Sequence, residues 1–333
     1  MTTYKGIQGF TIQNLSADPS NPIEGQVWYN STSNVWKVEE LTAAGAWATG
    51  GNLSTARAWV ASAGTQTAGL AGGGYDGTTP YYTITEEYNG TSWTSGGNLG
   101  SPRYELGGCG IQTAALAFGG RAPSALATNG TEEYDGSTWS PGGNLSLSRL
   151  LLPSNCGTQT AGLCIGGNIP PGGNRQTATE EYNGTAWTTG GSLPVAKYGT
   201  GAAGTQTAGL SFGGDVSGSP YSNTTEEYDG STWTTGGNIN SPRRHLAGAG
   251  IQTAALGFGG EGPSAYTGAT EEYNGATWAT SPASLSTVRT GLGGAGNTST
   301  ALGFGGASPS AYFNATEEWT GAGAAVTKTI TVS

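Results

Sequence analysis

Apolar positions come in runs only a few residues long, and the residues between the runs are turn formers. The stretch from Gly204 to Trp233 shows the pattern. Gly204-Thr205-Gln206-Thr207 separates two runs rich in Ala and Gly, and the second, Ala208 to Phe212, ends on Gly213-Gly214. After a variable stretch comes the alternating run Thr225-Glu226-Glu227-Tyr228, then Asp229-Gly230 and, shortly after, Trp233. Short alternating or apolar runs bounded by Gly, Asn and Asp predict strands, not helices. Asn-Gly or Asp-Gly between two such runs predicts a hairpin with a type I′ turn, which needs positive φ at both central residues.

The same parts return in the same order along the chain. A Glu-Glu pair followed by an aromatic residue stands at Glu86-Glu87-Tyr88, Glu132-Glu133-Tyr134, Glu180-Glu181-Tyr182, Glu226-Glu227-Tyr228, Glu271-Glu272-Tyr273 and Glu317-Glu318-Trp319, at steps of 46, 48, 46, 45 and 46 residues. Four short strands in each such period is the pattern of a propeller blade. The Gly and Ala of the first two strands suit strands crowded around a central axis, since Gly within a strand marks close backbone approach.

Six copies are plain, and residues 1–47 match one further period in length. Phe10 to Leu15 would then be a first strand, Val35 to Leu41 carries Glu39-Glu40, and Trp47 falls at the fourth-strand Trp position. The expectation is an all-β, seven-bladed β-propeller with four antiparallel strands per blade. Residues 1–325 would form one propeller, with 1–47 a divergent first blade and 48–325 the six repeats. Six blades preceded by an N-terminal docking segment is the alternative. The tail 326–333 alternates and predicts a closing strand. Its expected partner is the first blade, which would remove an exposed edge; a strand of another protein is the alternative partner.

A double Gly closes the second strand of each period (Gly119-Gly120, Gly166-Gly167, Gly213-Gly214, Gly259-Gly260, Gly305-Gly306), an aromatic residue sits in the third, and in most periods a Trp lies six residues after the second Glu. In these features residues 50–325 resemble the kelch repeat family, departing from its common form in the Thr/Gly-rich composition and the Glu-Glu pair. The stretch Asp18-Pro19-Ser20-Asn21-Pro22-Ile23-Glu24-Gly25-Gln26-Val27-Trp28-Tyr29-Asn30-Ser31-Thr32 resembles segments of tail and fibre proteins of marine bacteriophages. There Glu24 to Lys37 would form a hairpin around Ser31–Asn34. Together the resemblances imply a virion protein of tail, fibre or decoration type, made in the host cytoplasm. It would be a non-enzymatic disk attached to the particle, with other virion proteins as partners and a glycan or protein of the host surface as a further contact. A polysaccharide-degrading virion enzyme and an intracellular kelch interaction scaffold are the alternatives.

Composition narrows this. Gly contributes 61 of 333 residues, yet no three-residue period makes the chain collagen-like. Ten Trp, 15 Tyr and 6 Phe are too many aromatic anchors for a disordered chain. The net charge of −10, with 12 Lys and Arg, offers no basic face for nucleic acid. No run of 18 apolar residues predicts a membrane span. Met1-Thr2-Thr3-Tyr4-Lys5-Gly6 lacks the basic segment and apolar run of a secretory leader, so none is expected. Cys109, Cys156 and Cys164 are odd in number, without metal-like spacing, and read as small buried residues.

Candidate chemistry is sparse. Neighbouring side chains in a strand point to opposite faces, so a Glu-Glu pair cannot act jointly on one substrate atom as glycosidase carboxylates do. One Glu of each pair is expected to meet the basic residue that follows the fourth strand, Arg57, Arg103, Arg149, Lys197, Arg243 or Arg289. Either member could serve; the second, Glu87, Glu133, Glu181, Glu227 and Glu272, is assigned to these blade-to-blade ion pairs. The segments Tyr134–Trp139 and Tyr228–Trp233 are similar to the Asp-box of sialidases but place Asp four residues before Trp, where that motif has five, so they read as turns. With His245 the sole histidine, the two-His copper centre of kelch-like radical oxidases cannot be assembled, and no phosphate-binding loop appears. No metal and no cofactor are expected. Trp47, Trp93, Trp139, Trp187, Trp233 and Trp278 read as packing anchors of the blades.

What remains is the variable stretch between the second and third strands: 75–83, 121–131, 168–178, 215–224, 261–269 and 307–315. Strand alternation puts these loops on one rim, where Tyr81, Tyr82, Arg121, Arg175, Tyr221, Tyr266 and Tyr312 are the candidate binding residues. A repeated disk would offer many equivalent contacts, which display on a particle turns into avidity.

Overall fold

The computed structural model describes residues 13–19, 26–41, 44–78, 81–123, 126–322 and 325–330, with 39–41, 325, 326 and 328 described by backbone alone. The described residues form strands and turns and no helix. They divide into two compact units, Met1–Gly45 with Thr320–Ser333, and Ala46–Trp319.

The larger unit holds six four-stranded sheets. The first consists of Ala61–Thr65, Ala68–Gly72, Thr85–Tyr88 and Trp93–Ser95, in that order and antiparallel. The second spans Gly107–Ile111 to Trp139–Pro141, the third Gly157–Thr158 to Trp187–Thr189, the fourth Gly201–Thr205 to Trp233–Thr235, and the fifth Ala247–Ile251 to Trp278–Ser284. The sixth contains Gly293–Gly296, Thr300–Phe304 and Thr316–Thr320, and its fourth strand is Ala46–Thr49.

The first strands touch in cyclic order. Ala61–Thr65 lies against Gly107–Ile111, contact passes on from sheet to sheet, and Gly293–Gly296 returns to Ala61–Thr65. Apolar cores fill the spaces between neighbouring sheets. Cys156, Leu163 and Leu193 from the third sheet and its following connection, for example, pack with Ala202, Tyr228 and Trp233 of the fourth. The fourth-strand Trp of each sheet caps such a space. Its indole N–H donates to the Thr just before the Glu-Glu pair in the third strand of the preceding sheet: Trp139 to Thr85, Trp187 to Thr131, Trp233 to Thr179, Trp278 to Thr225, Trp47 to Thr270 and Trp93 to Thr316. All three cysteines are free and buried.

The described part of residues 1–47 is divided between two sheets. The last repeat has no Trp six residues after Glu318. Its open edge therefore takes Ala46–Thr49, and Trp47 fills the space against Trp319 and Phe258, with ring centroids 5.4 and 4.9 Å away. Trp47 thus belongs to the last repeat's sheet. The smaller unit forms its own sheet, ordered Gln13–Leu15, Val27–Asn30, Val35–Leu41, Ala325–Ile330. The tail strand pairs antiparallel with Val35–Leu41, in the segment expected to be its partner, whereas Gln13–Leu15 pairs parallel with Val27–Asn30, unlike any repeat. Of the phage-like stretch, residues 20–25 lie outside the described residues, as do 10–12 of the expected first strand. The described part of its hairpin turns at residues 31–34, and Trp28 is buried with its indole N–H on Asp18.

The Asn-Gly and Asp-Gly turns also differ from expectation. Tyr88 faces Trp93 across the ladder, so the loop has four residues, and only Gly90 takes positive φ, at 88°. Asn89 instead folds its side-chain oxygen onto the amides of Thr91 and Ser92, both at 2.9 Å. This is an Asx turn, in which side-chain acceptance replaces a left-handed first residue. Asp135 and Asp229 do the same and gain hydroxyl donors as well.

Candidate binding site

The Glu-Glu pair is the part of the framework that joins sheets, and its two members do different work. The first Glu meets the basic residue: Glu86 with Arg57, Glu132 with Arg103, Glu180 with Arg149, Glu226 with Lys197, Glu271 with Arg243 and Glu317 with Arg289. These pairs are buried. The second oxygen of the same carboxylate accepts a backbone N–H from the arriving connection, as Gly100 to Glu132 at 2.6 Å and Ser146 to Glu180 at 2.8 Å.

The assignment of Glu87, Glu133, Glu181, Glu227 and Glu272 to the ion pairs is therefore corrected. Strand alternation points the second Glu at the neighbouring sheet, and there it accepts a phenol hydrogen. Tyr134 donates to Glu87, Tyr182 to Glu133, Tyr228 to Glu181, Tyr273 to Glu227 and Tyr88 to Glu318. For Glu272 the residue at the corresponding position of the next repeat is Trp319, which has no hydroxyl to offer, and burial raises the Glu272 carboxyl pKa. Apart from Glu272, these carboxylates are committed to ion pairs or phenol bonds that tie the framework together.

At the centre of the cycle the backbone closes a ring. Trp59, Glu105, Leu151, Gly199, His245 and Gly291 hold equivalent places just before the first strands, and all are left-handed, with φ of 55, 58, 58, 62, 53 and 60°. Each donates its N–H to the carbonyl of the one before: Glu105 to Trp59, Leu151 to Glu105, Gly199 to Leu151, His245 to Gly199, Gly291 to His245 and Trp59 to Gly291, at 2.6–3.0 Å. Left-handed backbone disfavours most side chains, so such residues need support. Here the ring supplies it, and two positions are Gly. A Cβ on Gly199 would stand 2.3 Å from the His245 ring, and one on Gly291 2.6 Å from the indole nitrogen of Trp59.

This ring rims a recess lined also by Leu152, Thr200 and Asn155. Asn155 stands where other repeats have Ser62, Gly108, Ala202, Gly248 or Gly294. Its amide crosses from the third sheet to the carbonyls of Gly248 and Gly294, at 2.9 and 2.8 Å, and so floors the recess. Three polar atoms of the residues around this recess are themselves buried and without a partner: Trp59 Nε1, His245 Nε2 and Thr200 Oγ1. Burial, and secondarily the Arg244 charge, lowers the His245 pKa to about 4, so the imidazole is neutral at pH 7.

The seven rim residues named from the sequence gather in two groups near this recess. Tyr81 packs against Tyr104 (4.4 Å) and Tyr75 (5.7 Å), Tyr312 packs against Tyr75 and Trp59, and Tyr82 donates to Asp76. Arg121 pairs with Glu105 at 3.4 Å and lies over Tyr104. In the second group Asp215 is shared by Arg175 (2.5 Å) and Arg244 (2.8 Å), Arg244 also holds Glu261, and Tyr221 donates to Glu261. The Tyr266 hydroxyl is raised in pKa by burial and by Glu261. Tyr104, Tyr198 and Arg244 escaped the sequence reading because they precede the first strand, outside the variable stretches, and His245 was weighed there only as a metal ligand. Their signal was variation at a fixed offset after each buried Arg or Lys. The rim positions are not equivalent from repeat to repeat, so the rim is one composite face, not six copies of one contact.

Among the described residues, no group of three or more His, Cys, Asp or Glu has the placement of a metal site. No protein-family model matches the chain, and no curated protein matches it.

Proposed function

We propose that the chain is a non-enzymatic binding module of a phage particle, built as a closed six-bladed propeller of kelch type that presents one rim to a partner. One observation carries the reading. The six repeats share a nearly uniform framework, and the charges that the framework does not use, Asp76, Glu105, Arg121, Arg175, Asp215, Arg244 and Glu261, fall on a single rim beside most of the unrepeated aromatics. Folding alone gives no reason to gather exceptions on one face, whereas a rigid scaffold with variable loops is how recognition surfaces are commonly built. The cyclic contacts of the first strands support the ring, and the segment from Asp18 to Thr32 supports the phage setting by resemblance. The smaller unit, which carries that segment, is assigned to attachment on the particle.

The non-enzymatic part rests on the carboxylates. General acid–base chemistry needs a group with a tuned pKa free to reach substrate. Here the recurring Glu side chains other than Glu272 are held by Arg, Lys, backbone N–H or Tyr, and the rim acids by Arg or Tyr. The test is particle adsorption with Tyr81→Ser, Tyr221→Ser and Arg175→Ala combined. Intact particles with reduced adsorption to host cells are expected. Unchanged adsorption would overturn the rim reading, and turnover of a polysaccharide by the isolated chain would overturn the non-enzymatic one.

A further inference from the structure

Accessible positive charge on the larger unit is confined to the variable rim and narrows there to one residue. Of the nine Lys and Arg between Ala46 and Trp319, six are the buried partners of the framework carboxylates. Arg175 and Arg244 stand against Asp215 and Glu261, two charges against two. Arg121 is the ninth. Glu105 meets it through Nε alone, at 3.4 Å, and its Nη1–Nη2 edge carries no hydrogen bond. The side chain is 31% exposed, and both Nη atoms reach solvent. A guanidinium can serve two carboxylates, and in this chain Arg244 does so, holding Asp215 through Nη1 and Glu261 through Nε and Nη2. Arg121 holds one.

Arg121 also lies over the ring of Tyr104, 5.7 Å from its centroid, at the end of the aromatic group formed by Tyr104, Tyr81, Tyr75, Tyr312 and Trp59. All five rings are half-buried and keep part of their surface in water. The backbone here is already paired. Tyr75 exchanges N–H···O bonds with Ala58, and Arg121 with Tyr104, so neither Tyr75 nor Arg121 offers a main-chain N–H to an extended peptide. A planar fork beside aromatic faces and phenol hydroxyls suits a ring that carries hydroxyls and one carboxylate. With one cation, in a chain of net charge −10, a single carboxylate fits better than a phosphate of higher charge. We infer that Arg121 anchors a hexuronate unit of a glycan, its Nη edge taking the sugar carboxylate and the neighbouring tyrosines taking the ring. The inference rests on the rim being a recognition face and adds its ligand class.

The whole chain is titrated with the methyl glycosides of glucuronic and galacturonic acid, followed by saturation-transfer NMR and calorimetry. Methyl glucoside, a sugar phosphate and a short glutamate–proline peptide are the counterparts. At least one uronic acid glycoside is expected to saturate at one site per chain, to bind more tightly than every counterpart and to weaken as salt is raised. Arg121→Gln is expected to weaken it about tenfold. If that variant leaves Glu105 unpaired and fails to fold, Arg121→Lys decides; it keeps the charge, loses the fork and is expected to weaken binding about threefold. No binding of either uronic acid, a counterpart bound as tightly, more than one site, or wild-type affinity in the deciding variant would each overturn the inference. Loss of adsorption by particles carrying Arg121→Gln, alongside any of these results, would leave the recognition face standing and remove only its sugar ligand.

Discussion

The hydroxyl of Tyr134 donates to Glu87 across the space between the first and second sheets at 2.5 Å, and the same hydroxyl accepts the backbone N–H of Gly97 at 3.2 Å. The bond explains the Gly-Gly that follows most fourth strands. A Cβ on Gly96 would lie 2.7 Å from that hydroxyl, and Gly142, Gly190, Gly236 and Gly50 are crowded by Tyr182, Tyr228, Tyr273 and Tyr88 in the same way. Between the fifth and sixth sheets the arrangement is absent as a set. Trp319 replaces the Tyr, Ser281-Pro282 replaces Gly-Gly, and Thr298 stands where Gln112, Gln159, Gln206, Gln252 and Gln66 bridge to the preceding sheet. Trp47, Trp319, Phe258 and Leu285 fill that space with apolar contact.

The two kinds of interface should respond differently to loss of the second Glu. Glu87→Ala removes a charged acceptor from a buried phenol and is expected to cost about 1.5–3 kcal/mol. Glu272→Ala removes no hydrogen bond and should stay within about 0.5 kcal/mol of wild type. Urea unfolding of the two variants checks this, and equal losses would refute the distinction.

The buried ion pairs predict a larger effect. Arg149 is fully buried, and its Nη1 donates to the carbonyls of Gly166 and Ala178 while its Nε–H is left without a partner. Glu180→Gln would leave the guanidinium without its counter-charge and is expected to destabilise by about 3–5 kcal/mol. Replacing both partners by apolar residues of similar volume should recover much of that loss, since removing a buried pair whole is far milder than halving it. Chemical denaturation of the single and double variants is the measurement.

Alkaline pH tests the phenol bonds together. Burial first, and the Glu acceptor second, raise the pKa of Tyr88, Tyr134, Tyr182, Tyr228 and Tyr273 to about 12. An unfolded Tyr ionises near 10. A folded-state pKa raised above the unfolded value gives stability that is complete below about pH 10 and is lost as pH climbs towards 12. Circular dichroism and phenolate absorbance should therefore change together in that window. Phenolate appearing near pH 10 with the fold intact would show these tyrosines to be free of the carboxylates.

The repeats and their strands were legible because Trp, Glu-Glu and Gly-Gly return at a fixed spacing, and spacing is what a sequence displays. The partner of each Glu was not, since alternation separates Glu86 from Glu87 without saying which face meets Arg57. The exchange of Trp47 into the last sheet had a signal, the missing Trp after Glu318, that counting periods from the N-terminus conceals. The ring through Trp59, Glu105, Leu151, Gly199, His245 and Gly291 could not be read at all. It is a backbone conformation shared by six different residues or contexts, and its side chains vary because the ring needs only their N–H and C=O groups.

His245 gives the last test, and a clean one, because the chain has a single histidine and therefore a single imidazole resonance. Burial in the recess lowers its pKa from the ordinary 6.5 to about 4, with Arg244 acting in the same direction and Glu261 and Asp215 opposing. A histidine whose folded pKa is depressed contributes stability above its unfolded pKa and loses it as pH falls from about 6.5 to about 4. NMR should thus show one imidazole titrating near pH 4, with stability declining across the same interval. Arg244→Gln takes away a neighbouring positive charge and frees Glu261, so the midpoint should rise. A wild-type midpoint near 6.5 would mean that the ring is solvated and charges near neutrality. The recess would then carry a positive charge in mildly acidic surroundings.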